Sequence, residues 1–329
     1  MIDLSTNYLG LKLRNPIIVA SSGLSNSIEK IKKLEENGAA AIVLKSLFEE
    51  QIHAESAYNI NKDVTFGSEV NDYISGYIKD NSLGNYLKQI KEAKKAVEIP
   101  IIASINCIDN DQWTEWAKKI EEAGADALEI NISVLPSDHN RTAAEAEKII
   151  FDVLESIRAK VKLPLAVKIS SYSASLANLV KTISWTRNVD GIVLFNRFYN
   201  PDIDIENMKI VSSHVFSTPA DNINTLRWVS ILSNVIDENV DIAATTGIHD
   251  GQTVIKQILA GAAAVQIASV IYQKGPESIL AMQRVIEDWM QRHNYKSINQ
   301  FKGKLAFDKD KNTIAFERIQ FMKHFGGIE

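Results

Sequence analysis

Glu122-Ala123-Gly124-Ala125-Asp126-Ala127-Leu128-Glu129-Ile130-Asn131-Ile132 is the stretch from which the fold can be read. A polar helical segment stops at a glycine, a small-residue step follows, and an apolar strand begins. Glycine is the expected left-handed residue just past a helix end. The same phrase recurs twice. Glu36-Asn37-Gly38-Ala39-Ala40 leads into Ala41-Ile42-Val43-Leu44-Lys45, and Leu259-Ala260-Gly261-Ala262-Ala263 leads into 264–268. Pro16, Pro100 and Pro164 open further strands, a position that proline tolerates.

Working outward gives apolar runs at 17–20, 41–45, 101–105, 127–132, 165–169, 191–196, 241–246 and 264–268. Amphipathic helical stretches lie between most of them, among them 27–36, 111–123, 143–159 and 225–237. Near-continuous apolar strands alternating with helices mean a parallel sheet covered on both faces. Repeated this many times in one chain, the unit predicts a closed TIM (β/α)8 barrel of the α/β class over residues 1–305. An open doubly wound sheet is the structural alternative. Residues 4–13, with a turn at Gly10, read as an N-terminal β-hairpin closing one end. A last barrel helix is expected over 277–292, and residues 306–329 form a C-terminal extension. The connections 46–99 and 197–240 exceed the usual loop length and follow strand ends, where lids and binding elements sit.

The 329 residues, 45% hydrophobic, suffice for a large core. A net charge of -5 argues against a nucleic-acid partner, which calls for a basic face. No apolar run is long enough to span a membrane, and the first residues lack a signal-peptide pattern. Cys107 is the sole cysteine, so internal disulfides are excluded, a cysteine-held cluster is not expected, and no metal site is assigned. A cytoplasmic setting is expected.

Lys45 and Lys168 each close an apolar run. An ammonium group is costly to bury unpaired, so a strand that carries it to the rim of a core delivers it to an anion or a polarised carbonyl. The remaining strand ends give Ser21-Ser22-Gly23, Lys45-Ser46, Asn106-Cys107, Asn131-Ile132-Ser133, Asn196-Arg197, Thr246-Gly247 and Ala268-Ser269. This ring of amides, hydroxyls and cations suits a flat heterocycle rich in acceptors. The small residues closing the last two strands suit a phosphate.

With these motifs in order, the chain resembles the dihydroorotate dehydrogenase family of FMN-containing barrels, including the pyrimidine-reducing domain of dihydropyrimidine dehydrogenases. Asn15-Pro16 with Ser21-Ser22-Gly23, Lys45-Ser46, Ala103-Ser104-Ile105, the stretch from Gly124 to Ser133, Val167-Lys168, Gln266-Ile267 and Lys274-Gly275-Pro276 carry the likeness, as does the segment from Ser297 to Leu305. The resemblance implies a bound FMN. Ser21, Ser22 and Gly23 would lie against its ring. Lys45, Asn131 and Lys168 would bond its polar edge or the substrate, with Ser46, Asn106 and Asn196 beside them. Thr246, Gly247, Ala268 and Ser269 would hold the phosphate. It also implies oxidation of a CH–CH bond in dihydroorotate or a related dihydropyrimidine. The expected partners are a small-molecule substrate, with Arg197 suiting an anionic group on it, and a second copy of the chain in a homodimer.

The chain departs from the family where the base belongs. The family places a cysteine or serine after its N-L-S, and this chain has Val134. A general base contributes roughly 10²–10⁴ in rate, so another group must substitute or the reaction is slow. Ser133, Asp138 and His139 are the candidates, with Lys45 and Asn131 as catalytic neighbours. Imidazole titrates nearest neutral pH, although His139, on a polar loop, reads more readily as an exposed loop residue. The pyrimidine-clamping loop, expected within 68–76, keeps only Asn71. The glycine-rich phosphate segment has become Ser212-Ser213-His214-Val215-Phe216-Ser217. Two further readings follow: a non-catalytic, vestigial barrel that binds a ligand or partner, and a lyase using Lys168 or Lys45 as a Schiff-base nucleophile.

Overall fold

The computed structural model describes residues 2–48, 83–106, 110–132, 134–198 and 200–308. An antiparallel hairpin, β1 (Thr6–Tyr8) and β2 (Leu11–Leu13), opens the chain. The strands β3 (Ile17–Val19), β4 (Ala41–Val43), β5 (Leu47–Phe48), β6 (Ile101–Asn106), β7 (Ala127–Asn131), β8 (Leu165–Ile169) and β9 (Gly191–Leu194) follow. A second hairpin pairs β10 (Pro201–Asp204) with β11 (Lys209–Ser212). The last strands are β12 (Asp241–Thr245) and β13 (Ala264–Ile267). Parallel pairing runs from β3 through β4, β6, β7, β8, β9, β12 and β13, and β13 pairs back onto β3. The sheet therefore closes as a (β/α)8 barrel, and each expected apolar run coincides with one of its strands to within two residues. The short β5 resumes the β4 run and pairs with the rim end of β6.

Helices α1 (Ile28–Glu36), α2 (Leu83–Ala96), α3 (Asn110–Ala123), α4 (Ala143–Arg158), α5 (Leu176–Trp185), α6 (Asn222–Leu232), α7 (Gly251–Ala260), α8 (Ser269–Lys274) and α9 (Ser278–Arg292) surround it. Their starts are chemically marked. Ser27 and Asp250 each accept a backbone N–H of the first turn, and Thr142 with Glu145 forms a capping box on α4. Gly38, Gly124 and Gly261 take the left-handed backbone the recurring phrase predicts. The helix expected over 225–237 runs over Asn222–Leu232 instead. The connection 46–99 holds a regular barrel helix, α2, with Tyr86, Ile90 and Ala93 buried on one face. The connection 197–240 holds the exposed β10–β11 hairpin.

The barrel interior is separate from the shell between strands and helices. Ile18, Val43, Ile102 and Val193 fill it with five alanines of the strands, Ala41, Ala127, Ala166, Ala243 and Ala264, and the hairpin residues Tyr8, Leu9 and Leu13 cluster with them. The alanines leave room for the hairpin plug. Gly191 leaves more, because a Cβ there would lie 2.5 Å from Leu9 Cδ2. In the C-terminal segment, Gly303 and Leu305 donate backbone N–H groups to the carbonyls of Ile258 and Leu259, and Phe307 donates to that of Ser230. The chain beyond 308 lies outside the described residues.

Candidate functional site

Register fixes the floor of the mouth. Asn106 pairs with Asn131 and Asn131 with Lys168, so three polar side chains stand abreast at the carboxyl ends of β6, β7 and β8. Side chains two residues apart share a face of a strand, so Glu129 points inward below Asn131. It is 1% exposed. Its Oε2 accepts a 2.5 Å hydrogen bond from Gln266 Nε2, and its Oε1 lies 3.7 Å from Lys168 Nζ. Lys168, itself buried, donates to Gln266 Oε1 at 3.3 Å. An ammonium has three donors. One hydrogen bond and one longer ion pair leave a donor for a guest in the mouth.

The opposite wall is a chain of hydroxyls. Ser21 Oγ and Ser46 Oγ lie 2.9 Å apart, and Ser46 Oγ lies 2.7 Å from Ser104 Oγ. Tyr86 Oη accepts the Ser104 backbone N–H and donates to the Ser104 carbonyl, and burial pushes its phenol well above the usual range. Lys45 is positioned by its own backbone N–H, which donates to Ser25 Oγ at 2.9 Å. Ser22 caps the short helical turn Gly23–Ser25. Gly23 allows Tyr272 close, since a Cβ there would sit 3.0 Å from Tyr272 Oη.

On β9 and beyond, Asn196 Nδ2 donates to Asn131 Oδ1 at 2.9 Å. Arg197 donates to the carbonyls of His214 and Val215 at 3.0 and 2.8 Å, so its guanidinium holds the loop after β11. At the closing strands, Thr246 and Gly247 both have positive φ, and a Cβ at Gly247 would strike the Asn222 backbone at 2.3 Å. Thr246 Oγ1 donates to the Phe195 carbonyl. Ser217 Oγ accepts the Gly247 N–H at 3.3 Å and donates to Ser269 Oγ at 3.0 Å, and Ser269 Oγ accepts the Ser217 N–H.

These residues surround one cavity of about 760 Å³. Ser21, Ser22, Gly23, Lys45, Ser46, Asn106, Asn131, Lys168, Asn196, Thr246, Gly247, Ala268 and Ser269 all line it, as does Arg197. Both lysines thus reach the same mouth. His139 does not line it and is exposed on the segment between β7 and α4. Asp138 and Val134 instead border a separate cavity of about 250 Å³ beside α4. Ser133, Cys107 and the expected clamp over 68–76 lie outside the described residues. Among the described residues, the lining of the mouth contains no carboxylate, imidazole or thiol. Sequence reasoning missed His249 and Tyr272, gave Glu129 and Gln266 no part in the site, and read Phe216 and Ser217 only as part of the altered phosphate segment. A polar residue inside an apolar strand, two positions before a rim residue, is the signal that Glu129 and Gln266 carried.

A parallel barrel with polar and cationic side chains at the carboxyl ends of its strands is the architecture of a barrel enzyme. The family model for dihydroorotate dehydrogenase matches residues 3–290. The chain belongs to the dihydroorotate dehydrogenase family and is a dehydrogenase of that type. It is 28% identical over 307 residues to the dihydroorotate dehydrogenase B (NAD(+)) catalytic subunit of Thermoplasma volcanium, covering 92% of this chain and 98% of that one. The subunit of the same name from Methanocaldococcus jannaschii is 26% identical, with 83% and 88% covered. The chloroplastic dihydropyrimidine dehydrogenase (NADP(+)) of Arabidopsis thaliana is 23% identical, with 92% and 76% covered. No helix among the described residues is long and apolar enough to cross a membrane.

Proposed function

We propose that the protein is an FMN-dependent oxidoreductase acting on a CH–CH bond of dihydroorotate or a related dihydropyrimidine, with a proton acceptor other than the family's cysteine or serine. The observation that carries this reading is Lys168, buried, braced by Glu129 and Gln266, and retaining a donor towards a mouth that Lys45 also lines. The residues fit the cofactor. Lys168 would hold the polar edge of the ring, Ser21, Ser22 and Gly23 its face, and Thr246, Gly247, Ala268 and Ser269 its phosphate. A bound flavin supplies the hydride acceptor. The chain supplies the rest: Asn131 and Asn196, already bonded to each other, present amides to substrate carbonyls, and the two lysines stabilise negative charge. Arg197, engaged by two carbonyls, positions the loop and has donors left for an anionic substrate group. The substrate proton passes to a group other than Val134. Ser133 stands next to it in sequence, and His139 is disfavoured by its exposed position.

A cytoplasmic location, a homodimer and a second, electron-accepting subunit belong to the same proposal. The last rests on the relatives' name, catalytic subunit. Sedimentation velocity, alone and in a cell extract, tests both assemblies.

The purified protein should be yellow and should bleach anaerobically with dihydroorotate or another dihydropyrimidine. A colourless preparation that refuses added FMN defeats the reading. Retained flavin without bleaching by any dihydropyrimidine favours the vestigial barrel, which Val134 supports. The lyase reading is weakened for Lys168, because an ammonium engaged with Gln266 and Glu129 is a donor and not a nucleophile.

A further inference from the structure

His249 stands behind Ser217 and Ser269 at one end of the mouth. It is 7% exposed and follows the closing turn of β12. Its Nε2 lies 3.4 Å from Ser217 Oγ. That hydroxyl is the hub of the seat: it touches the Gly247 N–H, Ser269 Oγ and His249. Ser217 and Ser269 line the mouth, whereas His249 does not. The imidazole therefore reaches a ligand only through Ser217.

We infer that Ser217, Ser269 and His249 form a hydroxyl–imidazole relay that ties this chain's hold on a terminal phosphomonoester to proton uptake. The inference rests on the FMN reading above and adds to it a regulation of the same site. A phosphate in the seat takes over the Gly247 N–H and requires Ser217 to donate its hydroxyl proton. Ser217 then needs a donor for its own lone pair, and His249 Nε2–H is the group placed to supply it. A second proton on the ring adds positive charge behind the dianion. Without a ligand, desolvation by burial holds the His249 pKa below that of a free imidazole. The backbone of Ser217 acts in the opposite sense. The charged groups facing the ring are Lys274 at the end of α8, which disfavours the second proton, and Asp250 and Asp221, which favour it. Phosphate binding adds a further anion on the Ser217 side. Affinity for the phosphorylated flavin thus rises as pH falls through the liganded value and levels below the free one.

The test measures dissociation constants of FMN and riboflavin by fluorescence quenching from pH 5.5 to 8.5, for the wild type, His249→Gln and Ser217→Ala. Riboflavin differs only in lacking the phosphate, so its retained binding also reports a folded mouth in each variant. The phosphate's own ionisation acts equally on all three proteins and cancels between them. Relative to His249→Gln, the wild-type preference for FMN over riboflavin should grow by up to about tenfold on acidification, one unit of pKa change. Ser217→Ala should flatten it likewise. If FMN binds and the preference follows the same pH course in all three proteins, the relay is wrong while the flavin reading stands. If neither flavin binds, both fall together.

Discussion

Lys168 is the residue at which chemistry and stability are hardest to separate. The sequence suggests a rim cation whose loss leaves the core untouched. The structure places it against Glu129, a carboxylate 1% exposed, so truncating the lysine strands a buried charge. Breaking a buried pair on one side costs about 3–5 kcal/mol. Lys168→Met should therefore slow flavin reduction by about 10²-fold, as for loss of one oriented donor, and also lower the melting temperature. Adding Glu129→Gln should recover most of the stability and none of the rate. Stopped-flow reduction and thermal melts of the two variants check this, and a double variant that regains the rate would remove Lys168 from the chemistry. Val134 poses the simpler case. Val134→Cys restores the family's base at the matching position, and dihydroorotate-dependent bleaching should quicken by roughly 10²-fold or more if the base alone is missing. An unchanged rate would place the divergence in the substrate contacts as well.

At the scale of elements, the barrel strands were legible because each is a short apolar run closed by a polar residue, with a glycine or proline marking the start of all but β12. The second hairpin was not. Ile203 and Ile210 face each other across β10 and β11 and are 66% and 81% exposed. Alternation predicts a strand by assuming one buried face, and neither strand has one. Helix α2 was hidden by the length of its connection, although Tyr86, Ile90 and Ala93 carry the helical spacing. In the site, the rim residues were readable from strand ends, but Ser217 and His249 come from loop geometry that no periodicity encodes. The first hairpin shows how local and tertiary terms combine. Leu9 and Gly10 both have positive φ, the backbone of a tight two-residue turn, and leucine rarely adopts it. Burial of its side chain among the barrel alanines and a 2.9 Å bond from its N–H to Asp241 Oδ2 offset the strain. Gly191→Ala puts a Cβ into that side chain and should destabilise by about 1–3 kcal/mol, the usual cost of overpacking. Combined with Leu9→Ala, the two losses should be clearly less than additive in urea melts. Additive losses would mean that the plug does not press on Gly191.

At the scale of the whole molecule, the amino-end face of the barrel is held by carboxylates that accept backbone N–H groups. Glu35 takes those of Glu98 and Ile99, Asp126 that of Ile101, Glu121 those of Lys162 and Leu163, and Asp190 that of Leu165. A strand entering a parallel barrel has no neighbour for its first amide, and these side chains supply the acceptor. The opposite, carboxyl-end face carries the cations and amides of the site, so acidic residues stabilise one end and leave the other for chemistry. Asp241, at the amino end, joins three distant parts of the chain: the Leu9 N–H of the first hairpin, strand β12, and Lys302 of the C-terminal segment at 3.7 Å. Burial raises its pKa above the ordinary value, and the nearby Lys302 only partly opposes this. The sign follows from proton counting. The folded state binds the proton more readily than the unfolded chain, so ionisation costs stability as pH rises from the unfolded value through the folded one. Asp241→Asn keeps an acceptor for Leu9 and loses a partly buried ion pair that does not offset the desolvation of the carboxylate. The variant should melt higher than the wild type at pH 7, and the gain should shrink to nothing as the pH approaches about 4, where the unfolded carboxyl is protonated. Melting curves from pH 3.5 to 8 decide it: a variant less stable at pH 7 would mean that the Lys302 contact outweighs desolvation, and that the C-terminal segment is anchored by charge and not by packing.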